Sequence, residues 1–159
     1  MKALEQWLTK LIDIIIFFLF SLMVIVVFMQ VILRYLFDMS LAWASEFSQY
    51  AMVWMTFLGA ALAVKGRDHT RVDYFIQLFP RAWYKYINVL INVVIMIFLI
   101  FLIYTSLPVV KAAMQDITPG LGIPYGLVSL SLLVGEVLMI VYLVSDSVKW
   151  LKKGMDEEE

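Results

Sequence analysis

Cysteine is absent from the 159 residues, and histidine occurs once, at His69. The first absence excludes a disulfide framework and any thiolate metal site. The second excludes a bis-histidine haem, and a catalytic metal site would need about three protein ligands where only one imidazole exists. Charge is scarce: 16% of residues, with 12 basic against 13 acidic side chains, so neither sign dominates. No basic run offers a nucleic-acid surface, and the one block of like charge, residues 156–159, reads as a solvated end. Paired intramembrane carboxylates, a nucleophile with its base and a phosphate-binding loop are also missing. The sequence therefore predicts no enzyme and no cofactor. What is plentiful is apolar surface, at 64% of residues, a composition that belongs in a bilayer.

Residues 47–64 are apolar apart from Ser48, Gln49 and Thr56. At about 1.5 Å per residue they reach roughly 27 Å, close to the thickness of bilayer hydrocarbon. Ala44, Ser48, Ala51, Gly59 and Ala63 fall near one face of this helix, where small side chains permit close approach of another helix. Ahead of it lies an amphipathic start (Leu4, Trp7, Leu8, Leu11) and an apolar run over 14–33 broken only by Ser21 and Gln30. That run is too long for a cleaved signal segment and reads as a retained span over 11–33. After Val64 comes the polar stretch KGRDHTR, then Val72, Phe75, Ile76 and Phe79 at i, i+3, i+4 and i+7. This spacing predicts a short interfacial helix over 72–79. Two further spans follow, over 87–110 with Pro108 expected to kink or end it, and over 124–145 with Pro124 at its start. Ser131 and Gly135 give the last span a second small-residue face. The fold class expected is a single all-α integral membrane domain over 1–159: four transmembrane helices plus the interfacial helix.

An even number of spans places both termini on one side, and the charges decide which. The termini and the middle loop hold ten lysines and arginines, against two (Arg34 and Lys111) on the opposite face. By the positive-inside rule both termini are cytoplasmic. The basic loop is expected to touch anionic lipid headgroups, with His69 orienting the turn beside Asp68 and Arg71.

Several stretches in succession resemble the small membrane subunit of tripartite ATP-independent periplasmic (TRAP) transporters, the DctQ-like family. They are LRYLF at 33–37, Trp43 and Glu46, Trp54, FLGAALA at 57–63, Lys65, His69, Val72 and Asp73, then TPGLGIP at 118–124 and Gly135. The chain departs where the family often has two adjacent acids, since only Glu46 follows Trp43-Ala44-Ser45, and at Glu136, where a neutral residue is usual. The resemblance implies a bacterial inner-membrane protein working beside a much larger transport subunit that carries the substrate and sodium sites. It also implies a periplasmic binding protein delivering an organic acid, such as a C4-dicarboxylate or a sialic acid. The small subunit would enlarge the fixed scaffold against which the larger one moves.

Glu136 lies near mid-membrane, where an ionisable group costs at least about 2.5 kcal/mol on insertion scales and usually faces protein or water. One reading groups it with Ser21, Thr56 and Asn92 in a polar layer, or pairs it with the large subunit. The plainer reading satisfies it locally through one hydroxyl or backbone carbonyl. Arg34, Asp38, Trp43 and Glu46, with Asp116 in the other outer loop, are candidates for docking the binding protein or the large subunit. The plain alternative for the charged ones is snorkelling and helix-end placement. Ser48, Trp54, Gly59, Ala63, Ser131 and Gly135 are candidates for helix packing. A rival function is a small proton-coupled multidrug-type exporter, self-sufficient as a homodimer with Glu136 as proton carrier. A respiratory-complex subunit is a poorer fit without histidine pairs.

Overall fold

The computed structural model describes residues 2–65 and 84–156. Four helices account for nearly all of them: α1 (Lys2–Phe37), α2 (Ala42–Lys65), α3 (Tyr84–Ala113) and α4 (Gly126–Asp156). Each is long and apolar enough to cross a membrane. The interfacial helix expected over 72–79 falls outside the described residues, as does His69.

α4 packs along both α2 and α3, while α1 packs along α2. The core cluster sits near the end that carries the chain termini, where Ile12, Leu58, Ala61 and Tyr142 are buried together with Ile16, Leu138 and Met139 against them. Large apolar side chains cover the outward surfaces of α1 and α3, such as Phe17, Phe28, Ile97 and Phe101. This inversion of the soluble pattern is expected where the solvent is hydrocarbon. α1 leans on α2 more than on α4, and a cleft of about 290 Å³ lies between Glu5 and Leu8 of α1 and Ile140, Val144 and Val148 of α4.

Neither proline marks a helix end: Pro108 lies inside α3 and Pro124 precedes α4. α3 runs through Pro108 without ending, with buried Ser106 and Val110 on either side of it holding the helix against its neighbours. Pro124 stays outside α4. It pairs with Ile117 in an isolated β-bridge, and its carbonyl accepts the Leu127 N–H at 3.1 Å, so it precedes the helix that it was expected to open.

α1 closes at Asp38, whose φ is 52°. The left-handed region is one that a short polar side chain tolerates better than most. The reversal lets the Met39 amide return to the Leu33 carbonyl at 3.2 Å and turns the chain toward α2.

Candidate functional site

The most elaborated part of the molecule joins α2 to the α3–α4 connection, at the end away from the termini. The connection folds on itself. The Thr118 amide donates to the Ile123 carbonyl (2.9 Å), the Gly122 amide to the Thr118 carbonyl (3.0 Å), and the Tyr125 amide to the Asp116 carbonyl (2.9 Å). The Thr118 hydroxyl, 1% exposed, accepts the Ile123 N–H. Gly122 has φ 68°, and that turn is why a residue without Cβ stands there.

α2 then grips this loop with three side chains at i, i+4 and i+8, which one helical face presents in a row. Glu46 accepts the Gly120 N–H (2.8 Å) and the Leu121 N–H (2.7 Å), one on each carboxylate oxygen. Tyr50 donates its hydroxyl to the Pro124 carbonyl (3.2 Å), and the Trp54 indole N–H donates to the Leu127 carbonyl (3.2 Å). Successive backbone amides converging on a carboxylate form a small anion cradle, and hydrogen bonds to an ionised acceptor are the stronger kind. Gly120 makes the approach possible, since a Cβ there would lie 2.8 Å from the Trp43 amide nitrogen and 2.9 Å from the Glu46 carboxylate. Arg34, Asp38 and Asp116 are exposed around this brace, and Arg34 lies in the last turn of α1, where a cation complements the helix dipole.

A second polar network ties the opposite end. Lys65 of α2 donates to the Thr9 hydroxyl of α1 at 2.6 Å, and Thr9 lies 3.3 Å from the Tyr142 hydroxyl of α4. On the far side of α4, buried Asn92 donates to Asp146 (2.8 Å) and to Ser147 (3.2 Å). Truncating Asn92 to alanine would leave two acceptors without this donor, and is expected to cost about 1–2 kcal/mol. A thermal unfolding midpoint in detergent equal to that of the parent would remove the claim.

The expected polar layer is not assembled around Glu136. Thr56 is exposed and returns its hydroxyl to the Met52 carbonyl of its own helix, while Asn92 is committed to Asp146. Ser21 is half-buried on α1. Glu136 itself is 2% exposed, beside Ser106 of α3, whose hydroxyl is given to the Leu102 carbonyl at 2.7 Å. Neither Glu136 oxygen completes a hydrogen bond among the described residues. A buried polar group without a partner costs about 1–3 kcal/mol, so Glu136→Leu, close in volume, is expected to raise the unfolding midpoint. A lowered midpoint would mean that the acid has a partner after all. A transport defect in a stabilised variant would assign the acid a part in the cycle.

The packing candidates divide. Ser131 is buried with its hydroxyl on the Val128 carbonyl, and Gly135 touches Phe57 of α2. Ser48 is half-buried and bonds the Ala44 carbonyl. Ala63 is exposed, and the space around Gly59 is open to 4 Å. Tyr50, Thr9, Tyr142, Asp146 and Ser106 escaped sequence reasoning, and Thr118 entered it only as the head of the TPGLGIP stretch. Tyr50 was within reach, because it falls at i+4 between Glu46 and Trp54.

Four membrane-spanning helices, pinned to one another by polar ties at both ends, define a small multi-pass helical membrane subunit. Residues 23–153 match the family described as "Tripartite ATP-independent periplasmic transporters, DctQ component", and the chain belongs to that family. It is thus a small permease subunit of an inner-membrane transporter, not a member of an enzyme family, and such subunits work with a large membrane subunit. It is 25% identical over 154 residues to a TRAP transporter small permease protein of Haemophilus influenzae, covering 97% of this chain and 93% of that one. It is 33% identical over 75 residues to the C4-dicarboxylate TRAP transporter small permease protein DctQ of Vibrio cholerae, covering 47% and 32%. A third relative is the isethionate TRAP transporter permease protein DctMQ of Oleidesulfovibrio alaskensis, 26% identical over 106 residues, 65% of this chain and 17% of that protein.

Proposed function

We propose that this chain is the static scaffold subunit of a sodium-coupled TRAP secondary transporter. It holds the large transport subunit in place while that subunit carries an organic acid inward. The cargo is of the C4-dicarboxylate or sialic acid class and arrives on a periplasmic binding protein. Substrate and sodium sites belong to the large subunit. The relatives' names support a small organic anion, one being named for C4-dicarboxylates and another for isethionate. Both termini lie in the cytoplasm, a reading supported by the concentration of lysine and arginine at that end. On this orientation the brace formed by Glu46, Tyr50 and Trp54 faces the periplasm. Arg34, Asp38, Trp43 and Asp116 then form the surface around it that meets the binding protein or the outer loops of the large subunit.

The observation that carries this reading is the family match over 23–153, which takes in most of the described helices. Purified and reconstituted alone, the chain is expected to move no substrate. Reconstituted with its large subunit and binding protein under an inward sodium gradient, it is expected to support uptake. Proton-coupled flux through vesicles holding this chain alone would instead establish the self-sufficient exporter. Within the full system, Asp116→Lys is expected to slow uptake at limiting binding protein and leave the saturated rate alone. An unaltered dependence on binding-protein concentration would remove Asp116 from docking.

A further inference from the structure

The outward face of α2 is unlike the other outward faces of the bundle. Ser45, Gln49, Met52, Thr56, Gly59 and Ala63 follow one another at spacings of four and three, two columns of a heptad repeat. Five of the six are exposed, and a Cβ built on Gly59 would meet nothing within 4 Å. Met52 is the sole large apolar side chain that is exposed along α2, whereas α1 and α3 turn rows of Phe, Ile, Leu and Val outward. α2 is also the least apolar of the four spans.

Such a face is poorly suited to acyl chains. Gln49 makes no hydrogen bond with the described residues, and a bare side-chain amide in or near hydrocarbon lacks the partners that water would give it. The hydroxyls of Ser45 and Thr56 are folded back on the Ala42 and Met52 carbonyls, so they present small, smooth knobs. Small residues in a 3–4 repeat let a second helix lie close along the seam at a shallow left-handed crossing. From Ser45 to Ala63 the seam runs about 27 Å, a full hydrocarbon thickness, so its occupant must itself cross the membrane.

We infer that the Ser45–Ala63 face of α2 is the seat of one transmembrane helix of the large transport subunit, with Gln49 hydrogen-bonded to it and Gly59 at the closest approach. The inference rests on the scaffold reading, which supplies the partner; the seam supplies the place. The brace on the opposite side of α2 gives the seat rigidity, because Glu46, Tyr50 and Trp54 fix the same helix to the loop and to α4.

This chain has no native cysteine, so each single-cysteine variant, purified and labelled before it is combined with the large subunit, carries the probe at one position. In membranes containing both subunits, a benzophenone maleimide placed on Gln49→Cys, Met52→Cys or Thr56→Cys is expected to give adducts with the large subunit. The same probe on Phe98→Cys of α3 is expected to give none. Gly59→Leu is expected to leave the unfolding midpoint of the isolated chain unchanged while reducing co-purified large subunit about tenfold, equivalent to about 1.4 kcal/mol. Adducts between two copies of this chain would overturn the assignment in favour of a homodimer. So would a parent complex that stays intact with no adducts from the seam, or with adducts from Phe98→Cys alone. A parent chain that co-purifies with no large subunit at all would overturn the scaffold reading itself, a different failure.

Discussion

Replacing Glu46 by alanine is expected to free the α3–α4 loop and to destabilise the detergent-solubilised chain by about 3 kcal/mol. The magnitude follows from two hydrogen bonds to one carboxylate, each worth about 1.5–3 kcal/mol when the acceptor is charged and less than additive when they share a group. Both donors are backbone amides of consecutive residues, Gly120 and Leu121, so their loss leaves two N–H groups in a half-buried turn without acceptors. Glu46→Gln should be intermediate, because the amide keeps one acceptor oxygen and turns an NH₂ toward the second donor. Gly120→Ala reaches the same place from the other partner, since its Cβ would press on the Trp43 amide and the Glu46 carboxylate. Hydrogen exchange of a peptide covering 116–125 is the direct measurement. Protection falling in the order parent, Glu46→Gln, Glu46→Ala is the expected pattern. Equal protection in all three would mean that the loop holds its shape through Thr118 and the Ile117–Pro124 bridge without help from α2.

The same residue shows where reading the sequence succeeds and where it stops. Length and hydropathy carry the four helices well, because a bilayer demands uninterrupted apolar runs and leaves few alternatives. They carry the partners of polar residues poorly, because those depend on which helices are neighbours. Glu46 beside Trp43 looked like part of a surface for docking. Its carboxylate in fact points to amides 74 and 75 residues away along the chain. Thr56, Asn92 and Glu136 seemed to share a depth in the membrane, but residue counting misplaced the depth of Asn92, and for Thr56 depth says nothing about azimuth. Thr56 faces outward, and Asn92 meets Asp146 about ten residues, roughly 15 Å, along α4 from Glu136. Small residues show the same limit: Gly59 and Gly135 look alike in sequence, yet one borders open space and the other a neighbouring backbone.

That contrast sets the other large effect. Gly135→Leu is expected to separate α2 from α4 and to lower stability by about 4 kcal/mol, beyond the usual overpacking range because the obstacle is backbone. A Cβ at 135 would lie 2.8 Å from the Phe57 Cβ, 3.1 Å from its carbonyl oxygen and 3.3 Å from its carbonyl carbon. A flexible side-chain tip could turn aside, but a carbonyl inside a helix moves only with the helix. Shifting α2 would in turn pull Tyr50 from Pro124 and Trp54 from Leu127, and loosen Leu58 and Ala61 from the core around Tyr142. The consequences therefore spread to both ends of the bundle. Gly135→Ala should already destabilise, although alanine is the better helix former by up to about 1 kcal/mol. At Gly59 the identical change should be neutral or slightly stabilising in the isolated chain, since propensity acts there without opposition. Unfolding midpoints of the two alanine variants, measured side by side in the same detergent, are expected to move apart in sign. Equal shifts would mean that α2 and α4 are not in backbone contact at this level, and the packing scheme would have to be redrawn.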